Sequence, residues 1–572
     1  MVLDTRFGAL LDPEYSDLYA KVASQLTQEY LELRARLAKH MGSNVDWLVS
    51  SAAIRDNFNS PLFHNCIIVK LLVVRHQLHQ SLPQVIVDSN ELGLVLTQLY
   101  RDLSCAPDII VQTQSFPERL KGIKRILSPA GVILRQLRTW LSVKRHAGIR
   151  GLPCPSSGEP IKLIDAFVVS TAVEEDRYYA GLFDRLNPDQ LRETYIVPTF
   201  HNLSISETSE AVKRIRAGSR NFLFKETYLR LSDILWACAH FLRVRNLQIP
   251  RLDWCGVDIS SIWLMELKRR DHLQSAIIGL LNFQFFQSLR RANAIVSQTI
   301  DWFENQALDV GWNLGAHTYF PAAKTIGYQG FFQANHGASP TSYEYHLGVV
   351  PRRLCVMGPG LVKQRAQFCA EIEVEIAPAF RFGWLWEKEE QDSERRTIGS
   401  QNPPILMAVL PADQLTANYL LMLVTAISEQ YGNWQFWVKP HPALPSSQLD
   451  KWLTRSARVT PVSGSLRELF RFQPIVLSGG MTTAGLEALA FGLPSIFCSP
   501  PGYQNQLPVP DVLRTASLLT CASVETLKLR IEEIEVKLAA DKRYFQKSAA
   551  TVREELFAPV TSSSMASLGF VN

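Results

Sequence analysis

The run Ser478-Gly-Gly-Met-Thr-Thr-Ala-Gly-Leu-Glu487 has the residue types and spacing of an anion-binding turn. Gly479 and Gly480 let the backbone turn tightly and approach a ligand. The hydroxyls of Thr482 and Thr483 fall where a helix should begin. Free backbone N–H groups and the helix dipole favour a phosphate there. Glu487 stands four residues after Thr483, on the same face one turn on, where a carboxylate can accept from ribose hydroxyls. An ordinary capped helix of an α/β domain would show the same pattern. A second motif, Lys439-Pro-His-Pro442, ends an expected strand. Ligands of open α/β sheets bind beyond the carboxyl ends of strands. The prolines restrict the loop and aim His441, whose ring can donate to a phosphate oxygen. The alternative is a turn with a surface histidine.

Carboxylates appear in Asp301-Trp-Phe-Glu-Asn-Gln306, ahead of an expected amphipathic helix at Ala307–Leu314. Asp301 and Glu304 at a helix start would be held ionised by the dipole, as suits a base or nucleophile. Asn305 and Gln306 could orient sugar hydroxyls. The other reading is structural, with Asp301 as cap and Glu304 completing a capping box. In Gly327-Tyr-Gln-Gly-Phe-Phe-Gln-Ala-Asn-His-Gly337 a strand runs into a polar loop. His336 is there either a general acid/base or phosphate donor, or a packed loop histidine. The chain has no H-E-x-x-H, D-x-D or clustered His/Cys spacing and no Walker A motif. Metal catalysis and a P-loop kinase are therefore disfavoured.

The elements that must position these residues read most clearly in the C-terminal part. Short apolar runs at Pro404–Leu410, Gln435–Val438, Pro474–Leu477 and Ser495–Cys498 alternate with helical stretches at Gln414–Gln430, Ser447–Ser456, Ser465–Phe472 and Thr482–Phe491. That alternation predicts a doubly wound parallel sheet. Upstream, strands are expected at Gln84–Asp88, Asp108–Gln112, Leu163–Ser170, Thr194–Val197 and Thr325–Tyr328, and residues 1–60 read as helical. The charged, then Ser/Asn/Pro-rich stretch Glu387–Pro404 has the texture of a linker. The expected division is an N-terminal domain at 1–386, a linker at 387–404 and a C-terminal domain at 405–560.

The whole chain bounds these readings. Its 572 residues are 47% hydrophobic and 20% charged, enough apolar material for two large cores. A formal net charge of +5 is too weak to argue for nucleic acid. Nine cysteines, with no C-x-x-C pair, argue against a disulfide framework and structural zinc. No signal peptide and no apolar run long enough for a membrane span is evident, so a cytoplasmic protein is expected. Lys121–Arg150 carries eight basic residues and no acid, with Trp140 and aliphatic residues interleaved. Such a segment either lies on an anionic membrane, here the inner face, or is the solvated basic face of a domain helix.

Together, Glu304-Asn-Gln306, Ile326-Gly-Tyr-Gln329 and Thr482–Glu487 resemble the surface carbohydrate biosynthesis proteins of O-antigen, capsule and lipopolysaccharide loci. The resemblance spans about Leu231 to Phe497. It implies a GT-B glycosyltransferase: two Rossmann-like domains facing a cleft, here with a helical N-terminal addition. The chain also looks similar to sialic acid and Kdo transferases, which carry an acidic motif, an HP motif and a Ser/Thr pair in that order. By that resemblance Glu304 would be the catalytic carboxylate, His441 would contact the donor phosphate, and Thr482 and Thr483 would hold it. The acidic motif here is Phe303-Glu-Asn, rather than two acids and a glycine. CDP-glycerol-type polyol phosphate transferases are similar through His336-Gly337 and His441-Pro442, with His336 as base.

The expectation is a metal-independent glycosyltransferase with no cofactor, using a nucleotide sugar, CMP-linked in one reading. Lys439, His441, Ser478, Gly479, Gly480, Thr482, Thr483 and Glu487 would bind the donor. Glu304 and His336 would be catalytic, and Asn305 and Gln306 would hold a glycan or lipid-linked acceptor. A polyol phosphate transferase, a non-catalytic scaffold of polysaccharide assembly and a nucleotide-sugar epimerase are the alternatives.

Overall fold

The computed structural model describes residues 2–570 apart from 56–59, 79–83, 102–106, 113–127, 148–157, 174–177, 202, 333–338, 388–402, 443, 445–457, 481 and 503–517. The chain opens with β1 (Val2–Asp4), β2 (Gln84–Val87) and β3 (Asp108–Val111), a small parallel sheet in that order. Helices at Pro13–Met41 and Leu62–Gln77 lie between its first two strands. The N-terminal addition is thus helical, as expected, and also contributes a sheet of its own. Two of the strands expected upstream, Gln84–Asp88 and Asp108–Gln112, belong to it.

The first large sheet is built from β4 (Pro160–Val168), β5 (Thr194–Phe200), β8 (Ile295–Trp302), β9 (Lys324–Gln329), β10 (Arg353–Val356) and β11 (Glu373–Ile376). A short hairpin, β6 (Asp253–Trp254) and β7 (Val257–Asp258), stands apart from it. All neighbours pair in parallel, in the order β11-β10-β9-β8-β4-β5, so the winding reverses between β4 and β8. The second large sheet contains β12 (Ile405–Val409), β13 (Gln435–Lys439), β14 (Val459–Pro461), β15 (Ile475–Gly479), β16 (Ser495–Cys498) and β17 (Leu519–Cys521). Its order, β14-β13-β12-β15-β16-β17, is the dinucleotide-fold order 3-2-1-4-5-6, with reversal between β12 and β15. β12, β15 and β16 are buried along their whole length, which explains their unbroken apolar runs. Two parallel Rossmann-type sheets behind a helical N-terminal region make the expected GT-B class.

The strand β8 has no counterpart among the expected elements, and it is the one that carries Asp301. Ser297, Gln298, Thr299 and Asp301 dilute its apolar signal, although Gln298, Thr299 and Asp301 are buried. Helices at Leu273–Arg291 and Ala307–Tyr319 flank it and touch backbone to backbone. A Cβ on Gly279 would collide with the Ala307 carbonyl, and one on Gly311 with the backbone of Gly279. The second of these helices is buried on every side from Ala307 to Ala316 rather than amphipathic.

The end of the chain returns from the second sheet to the first. Helix Tyr544–Leu556 packs on the helix after β15, and Gly358 admits no side chain against Leu556. Beyond it, Met565, Leu568 and Phe570 fill the core beside Ile164 and Ile300, and Gln298 Nε2 donates to the Leu568 carbonyl at 2.8 Å.

The basic segment is a domain helix, Ser128–Ala147. Val143 and Ala147 are fully buried, and the Trp140 indole donates to the Leu229 carbonyl at 3.2 Å. The tryptophan expected to reach a membrane is thus tied internally. Leu134, Arg138, Leu141 and Arg145 form its outer face. Residues 121–127 and 148–150 lie outside the described residues. No helix among the described residues is long and apolar enough to cross a membrane.

Candidate functional site: two facing sheet edges

At the carboxyl edge of the first sheet, Asp301 is the penultimate residue of β8, not a helix cap. It is 1% exposed. Asn313 Nδ2 donates to its Oδ2 at 2.8 Å, while Oδ1 has no partner among the described residues. Burial pushes the Asp301 carboxyl well above the usual carboxylate range, and the Asn313 bond only partly offsets this. The dipole-stabilised anion expected from sequence is therefore not what the fold provides. Nor does Glu304 close a capping box. Gln306 is the N-cap and Asp309 the reciprocal partner, its Oδ2 accepting from the backbone N–H groups of Glu304 at 2.8 Å and Gln306 at 2.9 Å.

Glu304 is thereby released from capping and half-buried at the strand end. The Trp302 indole donates to its Oε1 at 2.8 Å and Gln306 Nε2 to its Oε2 at 2.8 Å. These bonds fix the carboxylate plane. Gln306 thus orients Glu304. Asn305 has φ +57°, a left-handed conformation that asparagine tolerates better than most residues. It is buried among Arg34, Trp47, Trp263 and Tyr343, so it faces the N-terminal helices and not the acceptor side. His336 and Gly337 lie outside the described residues.

The second sheet's edge is built for close approach. Gly480 has φ +63°, and a Cβ there would lie 3.2 Å from Thr416 Oγ1. A Cβ on Gly479 would meet the Cys498 carbonyl at 2.7 Å. Gly485 seats helix Ala484–Phe491 directly on Ser478 Oγ and Ser495 Oγ. Ser478 is therefore a packing residue beneath that helix, not a ligand contact. Thr482 and Thr483 are half-buried at the helix start. Thr483 Oγ1 donates to Glu487 Oε1 at 2.7 Å. Burial raises the Glu487 carboxyl, and its other oxygen takes no hydrogen bond among the described residues. Lys439 is spoken for, since its Nζ donates to the Gly464 carbonyl at 2.6 Å. His441 projects from the end of β13. Desolvation by nearby atoms, then the charges of Arg381 and Lys439, hold its pKa below the usual histidine value.

Arg381 is the residue that sequence motifs missed. It sits exposed in the short helix Phe380–Leu385, which follows β11 and so belongs to the first sheet's side of the molecule. Its charge is felt by both His441 and Glu487 of the second sheet. Its neighbour Phe380 packs edge-on against Tyr328 at 5.6 Å, and Tyr328 against Trp302 at 5.6 Å. One aromatic chain thus runs from the tryptophan that holds Glu304 to the residue next to Arg381. Thr416 is a second omission. It is fully buried beside Gly480, and its Oγ1 has no partner among the described residues. Neither residue stands in a recognisable motif. Only the topology, which puts the ends of β11, β12, β13 and β15 on facing edges, singles them out.

The N-terminal loop also reaches this edge. Gly502 N–H donates to Ser16 Oγ at 2.8 Å, and Leu11 N–H to the Pro501 carbonyl at 3.4 Å. Among the described residues no group of three or more His, Cys, Asp and Glu side chains could hold a metal ion.

No model of a known protein family matches the chain, and no curated protein matches it. Solved structures do align. A putative UDP-N-acetylglucosamine 2-epimerase from Listeria monocytogenes is 12% identical with a TM-score of 0.41, over 72% of this chain and 96% of that one. A glycosyltransferase from Rickettsia africae gives 11% identity and a TM-score of 0.40, over 72% and 97%. MurG from Acinetobacter baumannii gives 10% and 0.38, over 72% and 99%.

Proposed function

We propose that the protein is a nucleotide-sugar-dependent glycosyltransferase acting on a cell-surface glycan or lipid-linked acceptor. The observation that carries this reading is Arg381, a cation from the first sheet's side set against His441 and Glu487 of the second. It would place positive charge where a departing nucleotide phosphate develops negative charge. Glu487 would take the ribose hydroxyls, and the Gly479-Gly480 turn with the Thr482–Thr483 helix start would hold the phosphates.

In the reaction the acceptor hydroxyl gives its proton to Glu304 as its oxygen attacks the anomeric carbon. The bond from that carbon to the phosphate oxygen breaks, and its electron pair leaves with the nucleotide. Trp302 and Gln306 would hold the Glu304 carboxylate ready for the proton. The reading calls for no metal, because Arg381 and the helix N-terminus would supply the compensating positive charge, with the His441 ring as a hydrogen-bond donor. A peripheral contact with an anionic inner membrane would use the face of Leu134, Arg138, Leu141 and Arg145. Replacing Glu304 with Gln keeps the size and removes the base. Sugar transfer is expected to fall by about 10²–10⁴-fold with nucleotide binding unchanged. Normal turnover in that variant would overturn the assignment.

A further inference from the structure

A cavity of about 200 Å³ lies away from both sheet edges just described, between the turn at Ser50 and Ser51, the helical segment that starts at His240 and the start of helix Leu273–Arg291. Its lining is cationic: Arg245, Lys268, Arg269 and Arg270 all border it, with His240. Arg269 is matched by Glu266 at 3.3 Å and Asp271 at 2.8 Å. The other three cations have no carboxylate partner among the described residues, and all three are exposed to solvent at the cavity. Arg245 also lies over the Phe241 ring, at 5.8 Å from its centroid, but no carboxylate offsets the mutual repulsion of the three charges.

The deep wall points to a ligand as well. His240 is 4% exposed. Its Nδ1 lies 2.7 Å from Asp46 Oδ1, and Arg243 neutralises that carboxylate with two bonds, at 2.7 and 2.8 Å. His240 Nε2 takes no partner among the described residues, although the ring borders the cavity. The amino end of the 19-residue helix Leu273–Arg291 opens on the same space, with no side chain capping it. Its dipole adds positive potential.

We propose that this cavity binds a diphosphate group, through Arg245, Lys268, Arg270 and His240. A phosphate alone would leave much of the volume empty. Two joined phosphates match both the space and the number of free cations. The site is separate from the donor edge, so this inference does not depend on the identity of the donor. The diphosphate could come from a soluble molecule or from a lipid, and the chemistry that binds it is the same.

Calorimetric titration of the full chain with inorganic pyrophosphate, at fixed ionic strength, tests it. Pyrophosphate is expected to bind, and the double variant Lys268→Ala/Arg270→Ala to bind at least tenfold more weakly with an unchanged melting temperature without ligand. The single variant Arg245→Ala should weaken binding severalfold. Flotation with phosphatidylcholine vesicles carrying farnesyl diphosphate separates the sources. Capture lost in the double variant assigns a lipid diphosphate, and no capture beside tight pyrophosphate binding assigns a soluble one. Absence of pyrophosphate binding, or binding that the double variant leaves intact, would overturn the proposal.

Discussion

The two facing edges solve opposite electrostatic problems. At the first, carboxyls are buried in excess. Asp165 and Asp301 stand side by side on β4 and β8, with Asp309 behind them, and burial raises all three. The buried cation in this neighbourhood, Lys225, donates to Thr199 at 2.9 Å and Asn282 at 2.8 Å instead of to a carboxylate. Thr199 in turn donates to Asp165 at 2.9 Å. At the second edge the backbone supplies the polarity: glycines, a helix start and hydroxyls, with Arg381 above. The first edge is dense, acidic and internally bonded, as suits a fixed proton acceptor. The second is open and donor-rich, as suits an anion that comes and goes. The lesson is that Glu304 owes its position to neighbouring carboxyls. Asp309 takes the capping role and Asp301 braces the helix through Asn313, leaving Glu304 to Trp302 and Gln306.

Breaking the first edge should cost the most activity. The Glu304→Gln loss described above is the largest effect, read as transfer rate against unchanged nucleotide affinity. At the second edge, Gly480→Val forces a β-branched residue to φ +63° beside Thr416. Strain of about 1–3 kcal/mol and a filled approach should abolish nucleotide binding while the first edge stays intact. Equilibrium binding measures this, and wild-type affinity would refute the turn's role. Arg381→Ala should weaken nucleotide binding roughly tenfold, the worth of one charge-assisted hydrogen bond. The same variant should raise the pKa values of His441 and Glu487, because Arg381 lowers both. An NMR titration of the His441 ring reads this shift without substrate. An unmoved ring would place Arg381 elsewhere.

The smallest effect sharpens the contrast by pH. Burial keeps a proton on Asp301 in the folded chain at pH values where the unfolded chain has released it. Stability therefore falls as pH rises from about 3.8, the ordinary value, through the raised folded value, and stays reduced above it. Asp301→Asn has no proton to lose. Its melting temperature should be flatter than that of the wild type across that window and higher above it. Tenfold in acidity corresponds to roughly 1.4 kcal/mol. A parallel pair of curves would deny Asp301 its burden.

The second edge was the more legible from sequence. β12, β13, β15 and β16 are short apolar runs, so these strands and the helices Gln414–Ser428, Leu466–Phe470 and Ala484–Phe491 fall within two residues of expectation, the expected helix Ser447–Ser456 lies outside the described residues, and Gly480 has the positive φ of a tight turn. Roles were harder than places. Nothing in Lys439-Pro-His-Pro442 says that Gly464 claims the lysine, or that Ser478 lies under a helix. The first edge was obscured because β8 buries polar side chains, and a Ser-Gln-Thr-Asp strand has no apolar period. Asn305 was expected beside the acceptor because its left-handed backbone, which turns it inward, leaves no trace in residue type. Arg381 depends on contacts between distant segments, and no local pattern encodes those.

The central claim is that the second sheet's edge holds a nucleotide for Glu304 to work against. A thermal-shift series with CMP, CDP, UDP, GDP and TDP tests it most directly, because a ligand bound only by the folded chain raises its apparent stability. The account predicts that one nucleotide raises the melting temperature of the wild type and leaves Gly480→Val unmoved. CMP would point to an acidic-sugar donor, CDP to a polyol phosphate donor, and UDP, GDP or TDP to a conventional sugar donor. No shift with any of the five, or an equal shift in Gly480→Val, would contradict it.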